Sequence, residues 1–90
     1  MGMFEDAEGG PPTSMAGRIA CILRLFAEEP EPKRLADLHH GTRLPWGTVH
    51  RMAGDLVSNG LLDRDEDGRY DLGPLLRRIA GQLAAANAAS

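Results

Sequence analysis

The stretch LADLHHGTRLPWGTVHRMAGDLVSNGLL, residues 35–62, leaves this chain little freedom in how to fold. Its second half sets Val49, Met52, Ala53, Leu56 and Val57 at i, i+3, i+4, i+7 and i+8, an apolar stripe along one side of a helix. Pro45 stands where that helix starts, since its fixed φ suits a helix start and its missing N–H is one that a helix start leaves unpaired anyway. Asn59 and Gly60 supply a left-handed stop. Upstream, Leu35, Ala36 and Leu38 make a short helix of about residues 35–41, ended by Gly41 and Thr42. Ala36 is small where two helices would cross closely, and Leu44 is expected to turn back toward the core. The side of the second helix away from its stripe opens with Trp46, Gly47, Thr48, His50 and Arg51.

The flanks support this unit. Thr13 or Ser14 is a credible N-cap, and from Met15 the residues Ile19, Ile22, Leu23 and Phe26 keep helical spacing, with Arg18 and Arg24 on the polar side. Pro30 and Pro32 end this helix near Glu28, and Glu29 to Lys33 reads as an extended connection. After Gly60, Leu61 and Leu62 lead into a strand ending near Arg64. Asp65 to Gly68 form a turn, and Arg69 to Leu72 return with Tyr70 and Leu72 on one face. Gly73 and Pro74 open a last helix with Leu75, Leu76, Ile79 and Leu83 as its stripe and Arg77 and Arg78 opposite. The predicted fold is mainly α with a small β-hairpin: helix, short helix, turn, recognition helix, two-stranded wing, C-terminal helix. That is the order of a winged helix-turn-helix. Residues 1–12 are expected to be a flexible acidic tail, 13–83 the domain, and 84–90 an Ala-rich linker or frayed helix end.

A chain of 90 residues allows one small domain. Cys21 is the only cysteine, so neither an intramolecular disulfide nor a cysteine-based metal site is expected, which suits a reducing, cytoplasmic setting. No apolar run reaches the roughly 20 residues that span a bilayer, and no signal peptide is visible. His39, His40, His50 and Cys21 do not make a convincing zinc site, because consecutive residues on a helix point in different directions. Nucleophile–base pairs and glycine-rich phosphate loops are absent from the sequence, so no enzyme activity, cofactor or metal is expected. The net charge of -3 is uneven: Glu5, Asp6 and Glu8 lie in the tail, and from Thr13 onward ten Lys and Arg balance ten Asp and Glu. A neutral domain can still bind DNA through a local cluster of bases, with weak non-specific affinity. A major groove about 12 Å wide accepts one helix, which the helix from Pro45 would supply.

Residues 35–73 resemble the N-terminal DNA-binding domain of IclR-type bacterial transcriptional regulators. Thr42, Leu44 and Pro45 match that family's Thr-Gly-Leu-Pro turn, and Thr48, Val49, His50 and Arg51 match its Thr-Val-His-Arg run. Gly60, Leu61 and Leu62 match the step into the wing, and Tyr70, Leu72 and Gly73 match its Tyr-x-Leu-Gly ending. The resemblance covers roughly Thr13 to Leu83. Three positions depart from it: Arg43 replaces the turn glycine, Trp46 a common lysine, and Gly47 a common serine. With Arg43 in the glycine's place, either the turn is reshaped or Gly41 takes part of the role. The resemblance implies binding to a double-stranded DNA operator, as a homodimer on a palindromic site. Family members usually continue into a C-terminal domain that binds a small-molecule effector. An effector is therefore expected only if such a domain is missing from this chain, and the Ala-rich end favours an excised domain over a stand-alone regulator.

The candidate DNA contacts follow. Arg51 can present a bidentate fork to a guanine edge or pair with a phosphate. Thr48 suits a phosphate or a thymine methyl, or bonds its own backbone. His50 suits a phosphate. Trp46 either faces DNA, fills a gap in the core or lies at a dimer contact, and Gly47 lets the backbone approach a phosphate. Arg43 restores positive charge at the turn. Lys33 and Arg34 precede the short helix as phosphate contacts. Arg64 and Arg69 are expected to reach the DNA backbone from the stem of the wing, whose acidic tip phosphate would repel; alternatively they only neutralise neighbouring carboxylates. The rival reading is a winged helix for protein–protein contact that uses the acidic wing and Trp46.

Overall fold

The computed structural model of the chain describes residues 12–89. The expected acidic tail lies outside them except for Pro12. Six elements follow in order: α1 (Met15–Glu28), α2 (Leu35–Thr42), α3 (Trp46–Ser58), β1 (Leu62–Arg64), β2 (Tyr70–Leu72) and α4 (Pro74–Ala89). The fold is a winged helix-turn-helix. Ser14 caps α1, its Oγ accepting the Gly17 N–H at 3.0 Å. Ile22 and Phe26 bury the inner side of α1 against Leu38 of α2, Leu44 of the turn, and Val49, Met52, Ala53 and Leu56 of α3. Leu62 and Tyr70 close the core from the hairpin. The apolar stripe of α3 is therefore what builds the core, and the opposite side is left to solvent.

The α3 helix ends in a Schellman arrangement: the Leu61 N–H reaches Leu56 O at 2.9 Å and the Gly60 N–H reaches Val57 O at 3.1 Å. Gly60 alone of the expected Asn59–Gly60 pair is left-handed, with φ +80. The strands pair antiparallel with Leu62 opposite Leu72 and Arg64 opposite Tyr70. Gly73 then sits in a place closed to any side chain: a Cβ there would lie 2.5 Å from Gly60 O and 2.6 Å from Leu62 O. From this point the Leu75 N–H returns to Gly60 O at 2.9 Å, so α4 starts directly on the cap of α3.

Several expectations are corrected. Pro45 is the N-cap of α3 rather than its first residue; its ψ of 148 is extended, and its carbonyl accepts the Val49 N–H at 3.0 Å. Ala36 is exposed, and the close helix crossing falls at Gly41, where a Cβ would lie 2.7 Å from Leu25 Cδ1. Glu29 to Lys33 is more than a connection: Lys33 and Tyr70 exchange backbone hydrogen bonds of 2.8 and 2.6 Å, adding a one-residue third strand to the wing. The stripe of α4 is not packed as a closing helix would be, since Leu75, Ile79 and Leu83 are 43, 46 and 62 % exposed. The Ala-rich end continues this helix to Ala89.

The turn between α2 and α3 keeps the left-handed residue that a glycine would supply, but with arginine: Arg43 has φ 61. The turn is not reshaped, and Gly41 does not take over the role. Positive φ costs a residue with a Cβ about 1 kcal/mol or more. Arg43→Gly is therefore expected to stabilise the fold by up to about 1 kcal/mol, part of the gain being offset by the greater freedom of glycine in the unfolded chain. A urea titration followed by far-UV circular dichroism reads this as a higher midpoint at unchanged slope.

Candidate nucleic-acid interface

The site is built on the turn. Thr42 is buried, and its hydroxyl donates to Leu38 O at 2.8 Å while accepting the Leu44 N–H at 3.3 Å. One side chain thus closes the end of α2 and sets the direction of the chain entering α3. Leu44, 1 % exposed, anchors the turn from below. His39 adds a second tie, its Nδ1 lying 2.9 Å from Leu44 O. A carbonyl only accepts, so Nδ1 carries the hydrogen and donates. The orientation of α3 relative to α2 is fixed by these contacts together with the shared core.

The start of α3 is open. No side chain caps it, and no acidic residue lies in its first turn. Its leading N–H groups and the positive end of its dipole are therefore available to an anion. Around this start Arg43, Trp46, Gly47, His50 and Arg51 are exposed and Thr48 is half-buried. A Cβ added at Gly47 would meet nothing within 4 Å, nor would one at Gly54 further along. The open side of α3 is thus a low ridge with two gaps in it, between a turn that carries one arginine and a helix body that carries another. Trp46 neither fills the core nor stands alone. It is 50 % exposed, and its ring meets that of His39 in a T-shaped pair with centroids 5.3 Å apart and planes at 76°. The rings of His39 and His40 also lie 5.3 Å apart, closer than their consecutive positions on a helix suggest.

The remaining candidates lie apart from this cluster. Lys33, expected as a phosphate contact, is instead a buried residue, 8 % exposed. Its Nζ donates to Glu29 O at 2.6 Å and lies 5.4 Å from the centre of the Phe26 ring. Burial is tolerable because the ammonium keeps a carbonyl and an aromatic face as partners. Arg34 is exposed and its Nη1 reaches Asp67 O at 3.4 Å, next to the wing. Arg69 is engaged by the wing tip: its Nε lies 3.2 Å from Asp65 Oδ2 and its Nη2 lies 3.3 Å from Asp67 Oδ2. Arg64 lies over the Tyr70 ring at 5.3 Å and remains exposed. Sequence reasoning missed His39, because a histidine in the last turn of a short helix has no pattern of its own; only the fold reveals the carbonyl it meets.

The wing tip is organised by Asp65. Its Oδ1 accepts the backbone N–H groups of Asp67 and Arg69, both at 2.9 Å. The Arg69 N–H is the largest influence on the Asp65 carboxyl and holds it below its ordinary value, against an opposing desolvation; the Arg69 guanidinium and the Asp67 N–H lower it further. Because the folded value is depressed, this support is complete above the unfolded value of about 3.9 and is lost as pH falls through the folded one. The amide resonances of Asp67 and Arg69 are expected to titrate together below about pH 4, with the core amides unmoved, and Asp65→Asn is expected to abolish that step. Proton–nitrogen correlation spectra over an acid titration read both.

Comparisons with known proteins agree with this geometry. Residues 16–66 match the family described as the IclR helix-turn-helix domain. A comparison with curated proteins gives no match. Among solved structures, an IclR homolog from Microbacterium hydrocarbonoxydans complexed with 4-hydroxybenzoate is 30 % identical with a TM-score of 0.68, over 73 % of this chain and 28 % of that one. An IclR-family transcriptional regulator from Rhodococcus sp. is 31 % identical with a TM-score of 0.63, over 80 % of this chain and 31 % of that one. The Agobacterium tumefaciens repressor BlcR is 31 % identical with a TM-score of 0.64, over 72 % of this chain and 26 % of that one. The chain thus spans between a quarter and a third of the length of these structures. The family match runs over more than half of its residues and the neighbours share its winged fold, so the chain belongs to the IclR family, in that family's helix-turn-helix domain.

Proposed function

We propose that the chain is the DNA-reading module of a cytoplasmic transcriptional regulator, with α3 entering the major groove of duplex DNA. The observation that carries this reading is the open start of α3, an uncapped helix N-terminus ringed by Arg43, Trp46, Gly47, Thr48, His50 and Arg51. Phosphate suits the N–H groups and the exposed arginines, while Thr48 and Arg51 suit base edges. Arg34 and Arg64 serve as phosphate contacts from the wing side, and Arg69 chiefly holds the acidic tip in shape. Family membership and the similarity to solved IclR-family regulators support the same reading.

A domain whose ten Lys and Arg are balanced by ten Asp and Glu gains little from charge alone, so two copies acting on a palindromic operator raise affinity through linked binding. Selection of bound sequences from a random duplex pool tests the proposal. Enrichment of a two-fold symmetric motif, bound with an affinity that falls steeply with salt, is the expected result. A pool that remains random after repeated rounds would instead favour a winged helix used for protein contact.

A further inference from the structure

Trp46 is an unusual group to find at the edge of a reading helix, because a large apolar ring held half in water gains nothing from staying there. It is nevertheless held. Its ring packs edge-to-face with the ring of His39, centroids 5.3 Å apart at 76°. The His39 ring is itself fixed by the Nδ1–H bond of 2.9 Å to Leu44 O. The Leu44 side chain is buried in the core at 1 % exposure. A line of fixed contacts thus runs from the core through one carbonyl and one imidazole to the indole. The neighbouring Gly47 leaves open space beside it, with nothing within 4 Å of a Cβ placed there. An apolar group fixed in advance loses little freedom on binding, so its contacts count fully toward recognition. On the major-groove edges of the bases the one methyl group is the 5-methyl of thymine.

We propose that His39 is a positioning residue that fixes Trp46 as a reader of thymine 5-methyl groups. This rests on the DNA-reading role of α3 and names the base feature that its leading edge selects. Arg51 supplies hydrogen bonds to the groove, and Trp46 supplies the apolar part of the code. His39 touches no DNA in this scheme; it acts through the indole.

The test uses the whole chain and the duplex recovered from the random pool, with each thymine replaced in turn by uracil, which removes only the methyl group. At one or more positions the wild-type protein is expected to bind the uracil duplex about four-fold more weakly, the effect of losing one buried methyl. Trp46→Ala is expected to erase that difference, so that the thymine and uracil duplexes bind within about two-fold of each other. His39→Ala is expected to shrink the difference to less than about two-fold and to lower the fluorescence anisotropy of Trp46, the only tryptophan in the chain. Should His39→Ala not fold, His39→Gln, which keeps a donor for the Leu44 carbonyl but lacks the aromatic ring, carries the same expectations. His39→Phe, which keeps an aromatic ring but has no N–H for the Leu44 carbonyl, is expected to retain only part of the thymine preference. A wild-type protein with a clear site preference but no distinction between thymine and uracil at any position would overturn this proposal and leave the DNA reading intact. Full thymine preference with unchanged anisotropy in a folded His39→Ala or His39→Gln variant would overturn the role of His39. A wild-type protein that binds no duplex overturns both readings.

Discussion

Arg51→Ala is expected to remove most of the preference for a selected operator over unrelated duplex DNA while leaving the fold intact. Arg51 is exposed on α3, one turn beyond Gly47, and has no ion-pair partner among the described residues. Its guanidinium is therefore free to form a two-pronged contact with a guanine edge. A good pairing of that kind discriminates by about 1–3 kcal/mol, or roughly five- to 150-fold in affinity ratio. Competition binding at fixed salt measures that ratio directly. The loss should fall on the specific site, and the salt dependence of binding to unrelated DNA should change little. A uniform loss across all duplexes, with a shallower salt slope, would assign Arg51 to a phosphate instead. Equal loss in thermal stability would assign it to the fold.

The second large effect is structural. Gly73→Ala is expected to destabilise the domain by roughly 1–3 kcal/mol or more. The added Cβ would meet the carbonyl oxygens of Gly60 and Leu62 at 2.5 and 2.6 Å, and backbone cannot step aside as a flexible side chain can. Gly60 O also accepts the Leu75 N–H, and the Gly73 N–H is bound to Leu61 O, so any shift breaks the junction of the α3 cap, β2 and α4. In a domain of this size the melting temperature should fall by on the order of 10 °C. Gly47→Ala provides the contrast, because nothing lies within 4 Å and alanine favours the helix by up to about 1 kcal/mol. Its melting temperature should rise slightly. Comparable melting temperatures for Gly73→Ala and the wild type would mean that the junction is far more yielding than its backbone contacts imply.

The parts of this fold that sequence conveys best are those with a local, periodic cause. The stripe of α3, the proline stop after α1, the glycine stop at Gly60 and the Asp-Gly hairpin all act within a few residues of themselves. What escapes is fixed by partners distant along the chain. Lys33 reads as a surface base, and only its pairing with Tyr70 draws it inward over Phe26. Ala36 and Gly41 are both small, and nothing local tells which of them faces Leu25. Arg43 runs against its own backbone preference and is held there by the tie of its N–H to His39 O and by the Thr42 hydroxyl beside it. The stripe of α4 has helical spacing, but spacing does not reveal whether a neighbour covers it.

The candidate site divides in the same way. Trp46, Gly47, Thr48, His50 and Arg51 share a helix start and could be grouped from spacing alone. Arg34, Arg64 and Arg69 depend on where the wing lies. There the structure gives Arg69 to Asp65 and Asp67 and sets Arg64 over Tyr70. His39 is legible only once the turn has formed and Leu44 O has come within 2.9 Å of its ring.

Chemical-shift mapping by proton–nitrogen correlation spectra, with the operator duplex titrated into labelled protein, tests the central claim most directly. The expected result is a set of perturbed amides centred on Arg43 to Arg51, with smaller changes near Arg34 and Arg64 and none along the outer half of α4. Perturbations confined to the wing tip and α4, with the amides of Trp46 to Arg51 unmoved, would contradict the assignment of α3 as the DNA-reading element.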